Sequence, residues 1–517
     1  MRLGAAGAAL FLATAIVAAG PSEAAAADAP AAAIIWPTEG WAVSAPEEQG
    51  MDSAALARLV EAVGGSRQDS LLIVRHGRIV AEAYYAPFAA DIRHDLRSVT
   101  KSVIGTLTAI TIRDGLLDSL DHPILDLFAD KDIAAVDERK KAMTVQHLLD
   151  MASGLEWREN AYTPDETLSQ MYLSADRAAF VLGRPMASAP GAQFNYNSGN
   201  PYVLSALITR ETGRSAFEFA RSRLFEPLGI ARARWGGVDA QGVTDGESGL
   251  FLTPRDMAKI GYLYLHDGVW DGRPIIPASW VARARAGVID ASYGFRYANL
   301  WWSLPEKGAL MARGRHSQLI LVLPGLDVVA TMTGVLRDDE NYPTHRLIDA
   351  IAGAVRSDGA IPADSVARSL LAAAIRQAAT EAPSAVGETP ALASAISDRV
   401  YRFADNALHV KTVSLRLVGP NPSWEITTLS GSSDAPPERF AGLIGLDGLF
   451  RTGPPASYGV DAVKGRWLNA RTFSAERRIL GHAETQTWTL TFEGRAVAID
   501  FETTDGFKTQ LHGEQSD

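Results

Sequence analysis

The sequence predicts an α/β fold: an antiparallel sheet flanked by helices with a mostly helical insertion, plus a C-terminal all-β domain. Three observations lead there. Two apolar hairpins, 69–85 and 318–334, bracket a long stretch whose apolar residues recur at helical spacing, and another helical pattern follows the second hairpin. That order suits one sheet with helices packed on it. From about residue 396 the pattern becomes short runs alternating apolar and polar, the period of half-buried strands. The third observation is length: 517 residues exceed what one compact core holds.

The elements follow in order. Arg2 gives one early positive charge, Leu3 to Ala19 is apolar, and a Gly-Pro break precedes small residues around Ala24–Ala27. This is the order of a cleaved signal peptide over 1–27, and it predicts a periplasmic or secreted protein. The apolar run is short for a stable span, and no later stretch is long and apolar enough, so the mature chain is expected to have no membrane span. Residues 28–50 read as an extended lead-in to a first domain over 28–360. Within it, 69–85 is a hairpin around His76-Gly77, and 98–115 is a helix with Val99, Val103, Leu107 and Ile110 on one face. A helix capped by Thr144 is expected to run to Gly154, and another fills 200–213 before a glycine stop. Thr253 and Pro254 open a helix over 253–268. Pro-Gly-Leu-Asp joins the two strands of 318–334, and a helix near 344–356 closes the unit.

Residues 361–395 are Ala-rich, helical to about 380, and then read as a linker, "EAPSAVGETPALAS". In the β-rich region, 396–517, Trp488, Leu490 and Phe492 share a face, as do Val497, Ile499 and Phe501. Short strands of this kind form a barrel or sandwich. Trp424, Trp467 and Trp488 read as its core.

Composition excludes several classes. A net charge of −11 gives no general affinity for nucleic acid or anionic lipid. With no cysteine there is no disulfide, thiolate nucleophile or thiolate metal site. No His-Glu-x-x-His, Gly-x-Ser-x-Gly or Gly-x-Gly-x-x-Gly occurs, so neither a metal nor a cofactor is expected. Oligomeric state is not written in the pattern.

The chemistry-bearing candidate is Ser98-x-x-Lys101. Three residues apart on a helix, the two side chains share a face. A serine hydroxyl becomes a nucleophile only when a neighbour takes its proton. A buried lysine is pushed toward the neutral amine that can do so, and the helix N-terminus favours an oxyanion. Alone, the pair reads first as a helix cap with a solvated lysine behind it. Lys101, however, is the only charge between Arg97 and Arg113 in a strongly apolar helix. Tyr196, in the polar loop "PGAQFNYNSGNPYVL", can join a proton network with serine and lysine, or pack by its ring in a turn. Ser198 offers a further hydroxyl. In "ARGRHSQLILVL", Gln318 offers an oxyanion N–H, and Arg315 and His316 can bind a carboxylate or be solvated cations before a strand.

The order Ser-x-x-Lys, Tyr-x-Ser about a hundred residues later, and a Gly-bearing strand head resembles the serine β-lactamase and penicillin-binding-protein superfamily. The resemblance is closest to its class C-like branch, which also holds esterases, D-amino-acid peptidases and 6-aminohexanoate-oligomer hydrolases. The stretches "LLIVRHGRIVAE", "TVQHLLDMASGLEW", "LFEPLGI", "SGLFLTPRDMAKIG" and "PGLDVVATMTG" are similar too, from about 45 to 355. The resemblance implies a β-lactamase/transpeptidase-like fold and a serine hydrolase that cleaves a small ester, amide or peptide through an acyl-enzyme. Ser98 then matches the nucleophile, Lys101 its base and Tyr196 the second-motif tyrosine, with Ser98 and Gln318 N–H groups as the oxyanion hole. Ser198 in the third place of that motif looks more like the esterase and 6-aminohexanoate-oligomer side. The third motif falls on Arg315-His316-Ser317, as substrate-binding residues, without the lysine or the final glycine of β-lactamases. A side chain at Ser317 there crowds the oxyanion position. That feature keeps a second reading open: a non-catalytic penicillin-binding-like module recognising peptide or cell-wall fragments.

Overall fold

Alternate residues of the strands face two different cores, and this explains why the strands read as nearly continuous apolar runs. The computed structural model describes residues 34–66, 68–159, 163, 165–335, 343–429, 437–456, 459–482 and 484–516. The predicted signal peptide, 1–27, lies outside the described residues. Among the described residues, nine strands form the main sheet: β1 (Ala42–Val43), β2 (Gln68–Arg75), β3 (Arg78–Tyr84), β4 (Ile289–Asp290), β5 (Arg296–Ala298), β6 (Trp301–Leu304), β7 (Ala309–Gly314), β8 (Gln318–Leu323) and β9 (Val328–Gly334). Their spatial order is β1-β3-β2-β9-β8-β7-β6-β5-β4. Every pairing is antiparallel except β1 on β3, which is parallel.

The first and last parts of the domain meet at the middle of this sheet, where β2 pairs with β9. Leu71, Ile73, Leu319 and Leu321 point into one core, shared with the helices α1 (Ser53–Gly64), α5 (Thr344–Ala354) and α6 (Ser365–Ala378). Leu72, Val74, Ile320 and Val322 point into the other, shared with α2 (Val99–Arg113), α3 (Gly199–Thr212) and α4 (Pro254–Leu265). Thus α6, expected as part of a connecting segment, completes a core through Leu371 and Ala374.

Helix α2 departs from the one-faced pattern. Every residue from Val99 to Thr111 is buried, because the sheet lies on one side and the helical insertion on the other. The helix expected to run from Thr144 to Gly154 ends at Leu149. There Met151 takes a φ of 53°, and the Asp150 carboxylate is drawn off to Arg283 at 2.8 and 2.6 Å. The other stops match local chemistry: Gly213 at φ 65° ends α3, and Thr253 caps α4.

The C-terminal region is a ten-stranded antiparallel sheet among the described residues. Its first strand, Arg399–Phe403, pairs with its last, Lys508–Gln515, and a bridge from Gly445 to Lys464 draws the two ends into a near-barrel. Trp424, Trp467, Trp488, Leu490, Phe492, Val497, Ile499 and Phe501 fill it. Residues 35–517 form one compact unit. The β-region is docked at the approach to α2: Asp95 N donates to Gly481 O at 2.6 Å, and Phe88 packs with Ala462 and Leu480. No helix among the described residues is long and apolar enough to cross a membrane.

Candidate active site

Ser98 stands at the N-cap position of α2, yet its side chain makes no capping bond. Its Oγ instead accepts from Lys101 Nζ at 2.8 Å. The hydroxyl is therefore not spent on the helix. Arg97, just before it, has a φ of 48°, and the Asp95 carboxylate takes its N–H at 3.1 Å, so the chain turns sharply into the helix.

Lys101 is 1% exposed. A lysine this deep needs a counter-charge, and it has one. Nζ donates to the carbonyl of Glu247 at 3.0 Å and to its Oε2 at 3.2 Å. The sequence led us to expect that burial alone favours the neutral amine; here the Glu247 carboxylate opposes that effect. Burial pushes the Glu247 carboxyl up, but the charge of Lys101 and hydrogen bonds from Ser248 and Tyr172 outweigh it and hold it below its ordinary value.

Behind Glu247 lies a second carboxyl. Tyr172 OH is 2.5 Å from Glu247 Oε1 and 2.6 Å from Asp245 Oδ2. One phenol proton cannot serve both. The arrangement closes if Asp245 is protonated and donates to the Tyr172 oxygen, which donates to Glu247. Burial first, and the neighbouring Glu247 second, push Asp245 up to about 6.

Tyr196 is brought to the same place. Lys101 Nζ sits 5.1 Å from its ring centroid, and the ring stacks on Trp302 at 6.1 Å. Burial pushes its phenol up; the Lys101 charge and hydrogen bonds with Ser98 and Lys101 offset that only in part. Ser98, Lys101 and Tyr196 thus form one connected group. Ser198 is placed elsewhere in the network. Its N–H and Oγ donate to Glu159 at 2.7 and 2.8 Å, and Trp157 Nε1 donates to the same carboxylate at 2.5 Å. Burial raises the Glu159 carboxyl, partly offset by Lys101.

The third segment folds differently from its expected frame. Gly314 pairs with Gln318 across a tight turn, in which His316 and Ser317 take φ values of 65° and 69°. The residue pressed on Ser98 is Gly314: a Cβ there would lie 2.4 Å from Leu96 O and 3.1 Å from Ser98 N. Ser317, expected to crowd the oxyanion position, instead accepts from Gln68 Nε2 at 3.1 Å. The Gln318 side-chain amide donates to the carbonyls of His316 and Gly334, at 3.1 and 2.6 Å, and its backbone lies in the strand ladder opposite Gly314. Arg315 and His316 do face a carboxylate, but it belongs to this chain: His316 Nε2 lies 2.8 Å and Arg315 Nη1 3.4 Å from Asp505 Oδ1.

A family model described as Beta-lactamase matches residues 55–342, more than half of the chain. The chain belongs to the beta-lactamase family. This family of hydrolases supplies both the sheet and the helical insertion. A 6-aminohexanoate-dimer hydrolase of Paenarthrobacter ureafaciens is 27% identical over 304 residues, covering 55% of this chain and 76% of that one. Among solved structures, a Bacillus anthracis chain provisionally assigned as a 6-aminohexanoate-dimer hydrolase superposes with TM-score 0.50 at 21% identity, over 62% of this chain and 86% of that one. EstCE1, a hydrolase with promiscuous acyltransferase activity, does so with TM-score 0.50 at 17% identity, over 59% and 99%. At these identities the two structures speak for the fold alone. The sequence reasoning did not reach Glu247, Asp245, Tyr172, Glu159 or Gly314. Glu247 stands just before the family-like stretch "SGLFLTPRDMAKIG", which is the one signal that pointed toward it.

Proposed function

We propose that the chain is a serine hydrolase that cleaves an ester or amide through an acyl-enzyme on Ser98. The observation that carries the reading is the Lys101 ammonium, buried and bonded at 2.8 Å to a serine hydroxyl at a helix mouth. In this reading Lys101, having released a proton to solvent, takes the Ser98 proton as Oγ attacks the carbonyl, and the Glu247 carboxylate steadies the ammonium that forms. Tyr196, kept protonated by burial, donates its proton to the leaving oxygen or nitrogen and is recharged from Lys101. Water then attacks the acyl carbon; its proton returns along the same path to Ser98, and the acid is released. The Ser98 N–H holds the oxyanion. The second donor comes from the Gly314–Arg315 peptide rather than from Gln318, because Gly314 is the residue seated against Ser98 N.

Ester, linear amide, D-peptide and lactam carbonyls all fit this nucleophile. The relative named as a 6-aminohexanoate-dimer hydrolase favours a linear amide among them. The test is labelling by a fluorophosphonate probe together with hydrolysis of 4-nitrophenyl butyrate. Wild type should label and turn over, and Ser98→Ala should do neither. Full activity in Ser98→Ala overturns the proposal. Export by cleavage within 1–27 belongs to the same reading, and N-terminal sequencing of the secreted protein tests it.

A further inference from the structure

The β-region ends in a hairpin, Ala496–Thr503 and Lys508–Gln515, whose turn holds Asp505, Gly506 and Phe507. Thr503 N donates to Phe507 O at 3.0 Å, and Gly506, at φ 85°, closes the turn. This turn reaches the nucleophile. A cavity of about 350 Å³ is lined by Ser98, Arg97 and Arg315 on one side and by Asp505 and Phe507 on the other.

The charges at this mouth are arranged in a specific way. Two guanidinium groups and an imidazole converge on Asp505 at this mouth, Arg97 and Arg315 from the cavity wall and His316 from the buried side. That grouping suits a carboxylate. The seat is taken from within: Asp505 Oδ1 is 2.8 Å from His316 Nε2 and 3.4 Å from Arg315 Nη1, and its Oδ2 is 3.9 Å from Arg97 Nη2. Arg97 also has Asp95, with Nε 3.4 Å from Oδ2. Burial alone would raise the Asp505 carboxyl, but His316, Arg315 and Arg97 together hold it below its ordinary value. A substrate carboxylate entering here meets cations already matched and an anion in its way. A substrate ammonium finds a carboxylate already committed to these three groups. Phe507, 47% exposed, adds an apolar wall.

We propose that the Asp505–Phe507 turn is a specificity wall of the active site that fills the cation cluster beside Ser98 with its own carboxylate. The enzyme is thereby restricted to substrates uncharged on that side. This rests on Ser98 being the nucleophile.

The test compares full-length wild type, Asp505→Asn and Asp505→Ala on neutral 4-nitrophenyl butyrate, anionic mono-4-nitrophenyl glutarate and cationic 4-nitrophenyl 6-aminohexanoate. In both variants the ratio of kcat/KM, anionic over neutral, should rise by at least about tenfold. An unchanged ratio overturns the proposal. So does a loss confined to an ester carrying a free ammonium, which would make Asp505 a cation binder. Binding of free glutarate, followed by calorimetry, needs no turnover: Asp505→Asn should bind it and wild type should not. No binding by either overturns the wall even if all the esters fail, whereas wild type inert to the neutral ester overturns the Ser98 reading.

Discussion

Asp245→Asn should stabilise the protein at neutral pH and do progressively less as pH falls. In the native state Asp245 holds its proton up to about pH 6, against 3.8 for an ordinary aspartate. The pKa is raised, so the sign follows directly. Below 3.8 both folded and unfolded chains are protonated there, and nothing is lost. Between 3.8 and about 6 the unfolded chain has lost a proton that the native chain keeps, so stability falls as pH rises. Above that window the full cost stands. The span corresponds to about 3 kcal/mol, and partial exposure of the side chain trims this to about 2 kcal/mol. Asn copies the protonated form: its Oδ1 can still accept from Glu247 N, as Asp245 does at 3.2 Å, and its amide can donate to Tyr172. Urea midpoints of wild type and variant, measured at pH 4.5, 6 and 7.5, test it. The variant's advantage should be about a third of its full value at pH 4.5 and reach a plateau by 7.5. An advantage independent of pH, or one that shrinks toward pH 7.5, refutes the protonated Asp245.

The other predictions concern the groups around Ser98. Lys101→Met should abolish ester hydrolysis and destabilise by about 3–5 kcal/mol, because it strands the Glu247 carboxylate; adding Glu247→Gln should restore the urea midpoint but not the activity. Tyr196→Phe should keep the fold by circular dichroism and lower kcat by about 10²–10⁴-fold with little change in KM. Gly314→Ala should lower kcat/KM by about 10²-fold, since its Cβ would drive against Leu96 O and Ser98 N and shift the oxyanion donors.

What the sequence could convey tracks how local each feature is. The hairpins at 69–85 and 318–334 are visible because pleat alternation and turn residues lie within a few positions of each other. Ser98 and Lys101 are visible because three residues on a helix bring them together and an apolar run around a lone lysine implies burial. Glu247 and Asp245 lie about 145 positions from Lys101 along the chain, on a loop whose composition looks solvated. Only the folded sheet brings them under α2. The third segment was misframed for a related reason. Its polar residues Arg315, His316 and Ser317 suggested chemistry, but in a two-strand hairpin the residue that touches a neighbouring helix is the one the turn leaves bare, and that is Gly314.

Asp505 is the extreme case. It lies more than four hundred positions from Ser98 and is an ordinary turn residue in an ordinary hairpin. Arg315 and His316 are side chains that can hold a carboxylate or stand as solvated cations, and in the fold both face a carboxylate. Their partner is supplied by a region with no recognisable acid/base pattern. A cation cluster at an active-site mouth therefore says what charge it prefers, and only the fold says whether that charge arrives with the substrate or is built into the chain.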